Sequence, residues 1–267
     1  MDRHRVKPGD TVELADWDAS DTSAFSGVRQ QADAIVMGKS QELDVLQELL
    51  YAGHKHRLLI VLQGMDTSGK DATIRHVFHY VDPLGVRVSS FKVPSQEEGS
   101  FDFLWRIHKQ VPAKGEIVIF NRSHYEDVCI TRVRDLVPRH TWQRRYAQIN
   151  DFERMLAEEG TTILKFYLHI DRHEQKQRLE ARRDDPDKRW KFSRADVEER
   201  LLWPKYMEAY EEAISKTSTE WAPWYIVPAN HKWYRNLVVA SVIVDSLSEM
   251  RMEYPKPAEG LAGIEIS

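Results

Sequence analysis

The chain has 267 residues, 42% hydrophobic and 30% charged, which is enough for one large α/β domain with a substantial core. Its formal net charge of −4 excludes nucleic-acid binding through bulk electrostatics. Its single cysteine, Cys129, excludes intramolecular disulfides and a cysteine-based zinc site. No apolar stretch reaches membrane-spanning length and the N-terminus lacks a signal-peptide pattern, so we expect a cytoplasmic protein with no membrane or nucleic-acid partner.

The N-terminal segment predicts an irregular arm followed by a helix. Residues 1–38 are polar and predict an arm that lies over the surface. Leucines then recur at helical spacing between residues 40 and 53, where a glycine provides a stop signal. We therefore expect the first helix at 40–53.

A phosphate-binding pattern follows this helix. Residues 57–71 read RLLIVLQGMDTSGKD, in which a continuous apolar strand at 58–62 leads into the spacing G-x-x-x-x-G-K. Glycines let the backbone curl with its N–H groups pointing inward, and the following helix N-terminus adds a positive dipole. The residues predicted to bind phosphate are Gly64, Thr67, Ser68, Gly69, Lys70 and Asp71.

Two acids distinguish this loop. The position after the lysine is normally Ser or Thr, whose hydroxyl holds Mg²⁺. Here it is Asp71, and Asp66 lies inside the loop. An ordinary strand-to-helix turn with glycines is the alternative interpretation, and the strand–loop–helix setting disfavours it.

Strands and helices alternate along the rest of the chain. Apolar or β-rich runs predict four further strands, at 86–91, 116–120, 162–170 and 224–227. Helical patterns predict three further helices, at 95–111 (from a Ser95–Glu98 capping box), 141–159 and 231–250. This alternation predicts an α/β fold in which helices cover a parallel sheet.

Three segments are expected to meet in one crevice. Ligands of parallel sheets bind beyond the carboxyl ends of the strands. That rule brings together residues 64–70, 91–98 and 121–127, each of which follows a predicted strand.

A basic segment at 172–194 predicts a lid over phosphates. It holds nine Lys and Arg residues against five acids, and Arg178 and Arg182 share one helical face because they are four residues apart. The alternative is a solvated helix with ordinary pairs such as Glu174 with Arg178. Its position after the fourth strand of a phosphate-loop fold favours the lid.

Arg122 follows the third predicted strand, where a guanidinium can take two phosphate oxygens in a planar fork. The alternative for Arg122 is a structural ion pair with Glu126 or Asp127. Mg²⁺ prefers one or two carboxylates together with phosphates and water. We rank Asp66 first as its ligand, then Asp127, then Asp71.

The chain resembles the polyphosphate kinase 2 family in six segments that cover nearly its whole length. These are LQGMDTSGKD (62–71), SFKVPSQEE (90–98), FNRSHYEDV (120–128), YLHI with the basic helix (167–183), KRWKF (188–192) and APWYIVPANHKWYRN (222–236). The resemblance implies a single P-loop kinase domain over 1–267, similar to thymidylate kinase. Its α/β/α sandwich would hold five parallel strands, with the lid at about 172–194.

The resemblance also implies an activity. It is reversible, Mg²⁺-dependent phosphate transfer from inorganic polyphosphate to AMP and ADP, giving ADP and ATP, with Mn²⁺ as a substitute metal. A homo-oligomer, either a dimer or a tetramer, is expected. The implied metal ligands are Asp66 and Asp127. The implied catalytic residues are Asp66, Lys70, Arg122, Arg178 and Arg182.

The third-strand motif resembles the members that accept both AMP and ADP. Many relatives carry F-D-R-S-W-Y-N-R, whereas this chain has Asn121 for the acid and differs at 124, 126 and 127. Asn in place of Asp removes a negative charge beside the phosphates. We expect nucleotide binding and selectivity to depend on Lys92, Asn121 and Glu126.

Two other functions compete with this interpretation. One is an ATP-dependent nucleoside monophosphate kinase, which would bind ATP in the loop. The other is a non-catalytic polyanion-binding regulator, which would have no need of acids beside its cations. The presence of Asp66, Asp71 and Asp127 argues against the regulator.

Overall fold

The computed structural model describes residues 1–257 and contains one five-stranded sheet. Its strands are β1 (Arg57–Gln63), β2 (Val86–Ser90), β3 (Ile117–Asn121), β4 (Thr161–His169) and β5 (Trp224–Pro228). All neighbouring strands are parallel, in the spatial order β2-β3-β1-β4-β5. Each strand begins and ends close to its predicted bounds, so the parallel sheet is confirmed.

Helices cover the sheet. They are α1 (Arg29–Gly53), α2 (Lys70–Val77), α3 (Trp105–His108), α4 (Glu126–Val133), α5 (Arg139–Glu158), α6 (Arg172–Asp184), α7 (Arg194–Leu201), α8 (Trp203–Thr217) and α9 (Lys232–Glu249). In one group of helices, α9 packs on β4 and β5 and against α1 and α2. In the other group, α5 packs on β4 and against α4 and α8. The α/β/α architecture is therefore confirmed. Among residues 1–257, no helical segment has the length and hydropathy that a bilayer crossing requires.

The sheet order places β1 at the centre of the functional edge. β1 pairs with β3 on one side and β4 on the other, and the register sets Leu62 opposite both Asn121 and Phe166. The ends of β1 and β3 are therefore nearly level, and β4 extends two residues beyond the end of β1. The loops that follow β1 and β3 emerge side by side, as expected for a ligand crevice at this edge.

The N-terminal arm differs from its prediction. Helix α1 begins at Arg29, so only the first 28 residues form the arm, and Val6, Val12 and Leu14 in it are buried. Arg5 forms an antiparallel bridge with Tyr225 of β5. The arm covers the outer edge of β5, an arrangement that protects an otherwise open strand edge. Because the arm is mostly polar, its composition did not predict these few buried side chains.

The helix predicted at 95–111 is wrong for most of its length. The Ser95–Glu98 capping box does form, with N···O distances of 2.8 and 3.2 Å. Only a 3₁₀ turn follows it, because the chain becomes extended at Phe101 and the Asp102 carboxylate accepts the Leu104 N–H at 2.9 Å. Such local side-chain hydrogen bonds compete with helix propagation, and only the four residues of α3 are helical beyond them.

The basic segment begins as a helix, as predicted. Asp171 caps α6 by accepting the Glu174 N–H at 2.7 Å. A 3₁₀ turn at Arg189–Lys191 and then α7 and α8 follow. The sequence interpretation did not include α7 or α8.

Candidate active site

The predicted phosphate loop connects β1 to α2 and curls at two glycines with positive φ. Gly64 has a φ of +145°, and a Cβ there would lie 2.8 Å from the carbonyl oxygen of Leu168. Gly69 has a φ of +105°, and a Cβ there would lie 1.9 Å from Nη1 of Arg235. Both glycines of the motif are therefore required, by backbone conformation and by the closeness of their neighbours.

Lys70 lies against this loop and is largely buried. Its Nζ donates hydrogen bonds to the carbonyl oxygens of Gly64 at 2.8 Å and Met65 at 3.3 Å. Burial and the nearby charge of Arg122 lower the pKa of Lys70 to about 8, against the opposing effect of Asp66. An ammonium group that has lost this much hydration is stabilised by an incoming phosphate.

The two hydroxyl residues of the loop differ in their exposure to the cavity. Thr67 lines it with a φ of +65°, and its hydroxyl has no hydrogen-bond partner in the protein. Because buried polar groups are normally satisfied, this hydroxyl is suited to a ligand oxygen. Ser68 is fully buried, and its N–H donates to Met65 at 3.1 Å. The structure does not bring Ser68 to the cavity surface.

Arg122 directly follows β3 and has a φ of +62°. Its N–H donates to the carbonyl oxygen of Leu62 at 3.1 Å, which ties the turn to β1. Its guanidinium Nη2 donates to Oδ1 of Asp66 at 3.0 Å, so its ion pair is with the loop acid rather than with Glu126 or Asp127. Burial opposes the charge of Arg122, but Glu126 and Asp66 together raise its pKa.

A cavity of about 850 Å³ opens between the loop, the end of β3 and the lid segment. Ten cationic side chains line it against three acids, Asp66, Asp71 and Asp185. The cations are Lys70, Arg75, Lys92, Arg122, Arg178, Arg182, Lys188, Lys191, Lys232 and Arg235. A surface of this composition fits a ligand with several negative charges.

A smaller cavity of about 80 Å³ adjoins the first and shares Asp66 and Arg122 with it. Gly64, Glu126 and Tyr210 also line it. Glu126, predicted to select the nucleotide, therefore faces the site. Burial raises the pKa of Glu126, although Arg122 and Lys70 oppose the shift.

Asp127, ranked second as a metal ligand, does not line either cavity. Its carboxylate lies 3.6 Å from Arg106 and 3.6 Å from Arg145, within an ionic cluster behind α4. Its pKa is raised by burial, against the effect of these two arginines. Of these two neighbouring acids, Glu126 therefore faces a cavity of the candidate site and Asp127 does not.

Arg178 braces the phosphate loop. Its Nη1 donates to the carbonyl oxygens of Thr67 and Ser68 at 2.9 and 3.1 Å, and its Nε donates to Glu174 at 2.7 Å. Two more carbonyl oxygens, beyond β5, accept from Nη2. Arg178 thus also makes the helical ion pair that was the alternative interpretation. Arg182 is freer, with its nearest carboxylate 3.7 Å away.

Arg235 of α9 was missed by the sequence interpretation. Its side chain is 1% exposed and donates to the Ser68 carbonyl oxygen at 3.2 Å and to the Asn236 side chain. Among the described residues, no carboxylate lies within 4.0 Å of it. Burial and the charge of Arg178 lower the pKa of Arg235 to about 9. The available signal was Lys232 and Arg235, three residues apart, at the start of an apolar helix.

Comparison with known proteins identifies the family of this chain. The model of a family described as polyphosphate kinase 2 matches residues 28–255. The chain belongs to the polyphosphate kinase 2 family. An AMP/ADP-polyphosphate phosphotransferase of Meiothermus ruber is 56% identical over 257 residues, which cover 96% of each chain. An ADP-polyphosphate phosphotransferase of Rhodopseudomonas palustris is 41% identical, over 94% of this chain and 91% of that one.

A solved structure of the polyphosphate kinase 2 family has the same fold. The crystal structure of polyphosphate kinase 2 from Arthrobacter aurescens TC1 superposes with a TM-score of 0.93 at 47% identity, covering 97% of this chain and 93% of that one. The family resemblance inferred from the sequence is therefore confirmed.

A divalent cation is a general requirement of kinases, and the acids of this polyphosphate kinase 2 member fit one. Among residues 1–257, no three His, Cys, Asp or Glu side chains converge as a metal cluster. Asp66 and Glu126 nevertheless line the same small cavity. Mg²⁺ commonly takes one or two carboxylates and completes its shell with phosphates and water. Asp71 lines the large cavity instead, and its carboxylate accepts a hydrogen bond from Asn121 at 2.7 Å.

Proposed function

We propose that this protein transfers phosphate from inorganic polyphosphate to AMP and to ADP, giving ADP and ATP. The observation that carries the proposal is the cavity in which ten cations and three acids surround a glycine-curled phosphate loop. A single nucleotide does not need so many cations, whereas a long phosphate chain does. The names of the relatives from Meiothermus ruber and Rhodopseudomonas palustris support the same reaction.

The proposed mechanism is a direct in-line transfer. An oxygen of the acceptor phosphate attacks the terminal phosphorus of polyphosphate, and the anhydride bond to the rest of the chain breaks. Lys70 and Arg122 stabilise the charge that develops on the phosphate oxygens. Because an acceptor phosphate oxygen is already ionised near neutral pH, no strong general base is required. The reaction is reversible, since both sides are phosphoanhydrides.

Asp66 has a positioning task in this mechanism. Its carboxylate holds the Arg122 guanidinium at 3.0 Å, which orients the fork toward the cavity. Asp66 and Glu126 would also hold Mg²⁺, or Mn²⁺ in its place, which would supply positive charge to the phosphate oxygens. Arg182 and the rest of the basic segment would close over the bound chain, while Arg178 would hold the start of that segment to the phosphate loop.

We assign the acceptor nucleotide to the side of the site nearest β2 and β3. Lys92 and Asn121 line the large cavity there, and Glu126 lines the adjoining one. We also propose a homo-oligomer, a dimer or a tetramer. Support comes from two exposed apolar side chains, Val88 of the edge strand β2 at 46% and Phe101 at 50%. Light scattering of the purified protein tests the oligomer.

One assay tests the proposed function. Purified protein is mixed with Mg²⁺, long-chain polyphosphate and either AMP or ADP, and the products are separated. Formation of ADP and ATP supports the proposal. An ATP-dependent monophosphate kinase would instead convert AMP and ATP to ADP and show no use of polyphosphate. Absence of product from both acceptors would overturn the proposal, and a parallel reaction of AMP with ATP would then separate an ATP-dependent kinase from a binding protein.

A further inference from the structure

A fully buried polar network lies behind the turn that carries Arg122. Glu153 of α5 and Lys165 of β4 form an ion pair with an Nζ···Oε2 distance of 2.6 Å, and both side chains are 0% exposed. The Tyr125 hydroxyl donates to Glu153 at 2.9 Å and accepts from Lys165 at 2.8 Å. The ring Nε2 of His124 lies 3.0 Å from the same carboxylate. We call His124, Tyr125, Glu153 and Lys165 the buried network.

In the buried network, each donor of the Lys165 ammonium group has its own acceptor. The three donors of the Lys165 ammonium group reach Glu153, Tyr125 and the carbonyl oxygen of Thr217. Burial disfavours the charge of Glu153, but Lys165 and His124 outweigh it and lower its pKa. Because an ionised carboxylate only accepts hydrogen bonds, His124 donates through Nε2. Burial lowers the pKa of Lys165, but its three acceptors and the donors around Glu153 form the hydrogen-bond pattern of an ionised pair.

Stability does not explain such a pair. Removing two charges from water costs about as much as their attraction returns, and apolar replacements of buried ion pairs are often neutral or stabilising. The network is also not a ligand site, because none of its four residues lines either cavity at the active site. Its position behind the site is what indicates a role.

The network is attached directly to the turn that presents two groups of the proposed site. His124 and Tyr125 lie between Arg122 and Glu126, both of which line the site. Arg122 has a φ of +62°, a conformation that persists in a residue other than glycine only when its surroundings enforce it. On the other side, the Ser123 hydroxyl accepts from the Gln63 side chain at 3.2 Å. The turn is thus held by β1 in front and by the network behind.

We infer that the buried network positions the strained turn so that the Arg122 guanidinium meets the transferred phosphate. Glu153 and Lys165 touch no substrate and act through Arg122, so they are positioning residues. This inference rests on the proposed function for its catalytic consequence. Its structural part, the control of the turn by the network, stands independently of the reaction.

The test is a double-mutant cycle between Glu153→Gln and Arg122→Ala. Glu153→Gln keeps the shape of the side chain but removes the charge, and we expect kcat to fall about tenfold or more while both KM values change less than about threefold. In the Arg122→Ala background, the same change should lower kcat by less than about twofold, because the positioned group is gone. An equal loss of kcat in both backgrounds would overturn the inference.

A second variant covers the case in which Glu153→Gln does not fold. Glu153→Leu combined with Lys165→Met replaces the pair by apolar groups, and we expect it to fold with a low kcat. Wild-type kcat in this folded variant would contradict the inference. Tyr234→Phe, which removes a buried 3.0 Å hydrogen bond to His4, is the matched control and should keep wild-type kcat.

Hydrogen exchange separates this inference from the proposed function. The Arg122 amide, which donates to Leu62, should exchange faster in Glu153→Gln than in wild type and Tyr234→Phe. An inactive wild-type protein would refute the proposed function alone. Unchanged exchange in a folded Glu153→Gln protein would refute the positioning role, whatever the reaction.

Discussion

Two adjacent acids at the start of α4 have different surroundings. Glu126 faces the cavity, whereas Asp127 is enclosed by Arg106 and Arg145. An α-helix turns by about 100° from one residue to the next, so neighbouring side chains project in different directions. The motif showed that acids follow Arg122, but the phase of the helix decides which of them faces the cavity.

The metal requirement should follow this difference. Glu126→Gln removes a carboxylate from the cavity, and we expect the Mg²⁺ concentration for half-maximal rate to rise about tenfold. Asp127→Asn is the matched control and should shift that concentration by less than about twofold, although it removes the partner of two arginines. Magnesium titrations of the rate measure both. A larger shift for Asp127→Asn would show that the assignment is reversed.

The pH dependence should reflect Lys70. Its pKa of about 8 lies below the ordinary lysine value, so the ammonium form is lost as pH rises through about 8. We expect kcat/KM for polyphosphate to fall across that range, and Lys70→Arg to move the alkaline limb to higher pH.

Pre-steady-state and steady-state rates in overlapping buffers provide the measurement. The alkaline limb of the kcat profile should lie at higher pH than that of the kcat/KM profile, because bound phosphate favours the charged lysine. An alkaline limb that is the same in Lys70→Arg would assign the titration to another group.

At the scale of elements, the arm is part of the core. The Leu14 side chain is 3% exposed, and its N–H donates to Glu211 of α8 at 2.8 Å. The arm also reaches the functional edge, where the Asn230 N–H donates to the carbonyl oxygen of Ala19 at 3.1 Å. Asn230 in turn accepts from Arg178, the brace of the phosphate loop. The arm therefore connects the sheet edge to the site.

Truncation of one arm residue should lower stability. We expect Leu14→Ala to lower the free energy of unfolding by about 2–4 kcal/mol, since it leaves a cavity in a packed region. Leu84→Ala removes the same atoms from a side chain that is 80% exposed and should change it by less than about 0.5 kcal/mol. Urea unfolding compares the two variants. Similar values for both would mean that the arm is not packed in solution.

For the whole molecule, bulk charge and local charge have opposite signs. The chain carries a net −4, while the cavity has ten cations and three acids. The rest of the surface is correspondingly acidic. Electrostatic attraction of a polyanion is therefore strongest at this cavity and is sensitive to screening there.

Ionic strength should test this separation of charge. Between about 0.05 and 0.5 M salt, we expect KM for long-chain polyphosphate to rise several-fold and kcat to change little, because screening weakens association more than transfer within the closed site. KM for AMP, with fewer charges, should rise less and acts as the internal control. A polyphosphate KM that does not depend on salt would contradict binding in this cavity.

Local patterns in the sequence determined the strands and the phosphate loop of this protein. Apolar runs followed by turn signals predicted all five strands, and G-x-x-x-x-G-K predicted the loop with its two required glycines. These features depend on residues close together in the chain. The helix at 95–111 failed for the same reason, because a correct capping box says nothing about the residues that must continue the helix.

Only the tertiary structure decided which partners the charged side chains have. It brought Arg235 from α9 against Gly69, paired Arg122 with Asp66, and buried Lys165 with Glu153 beneath the turn. Sequence periodicity reports which face of a segment is apolar. It does not report which distant segment will pack there, and the environment of a charged side chain depends on that packing.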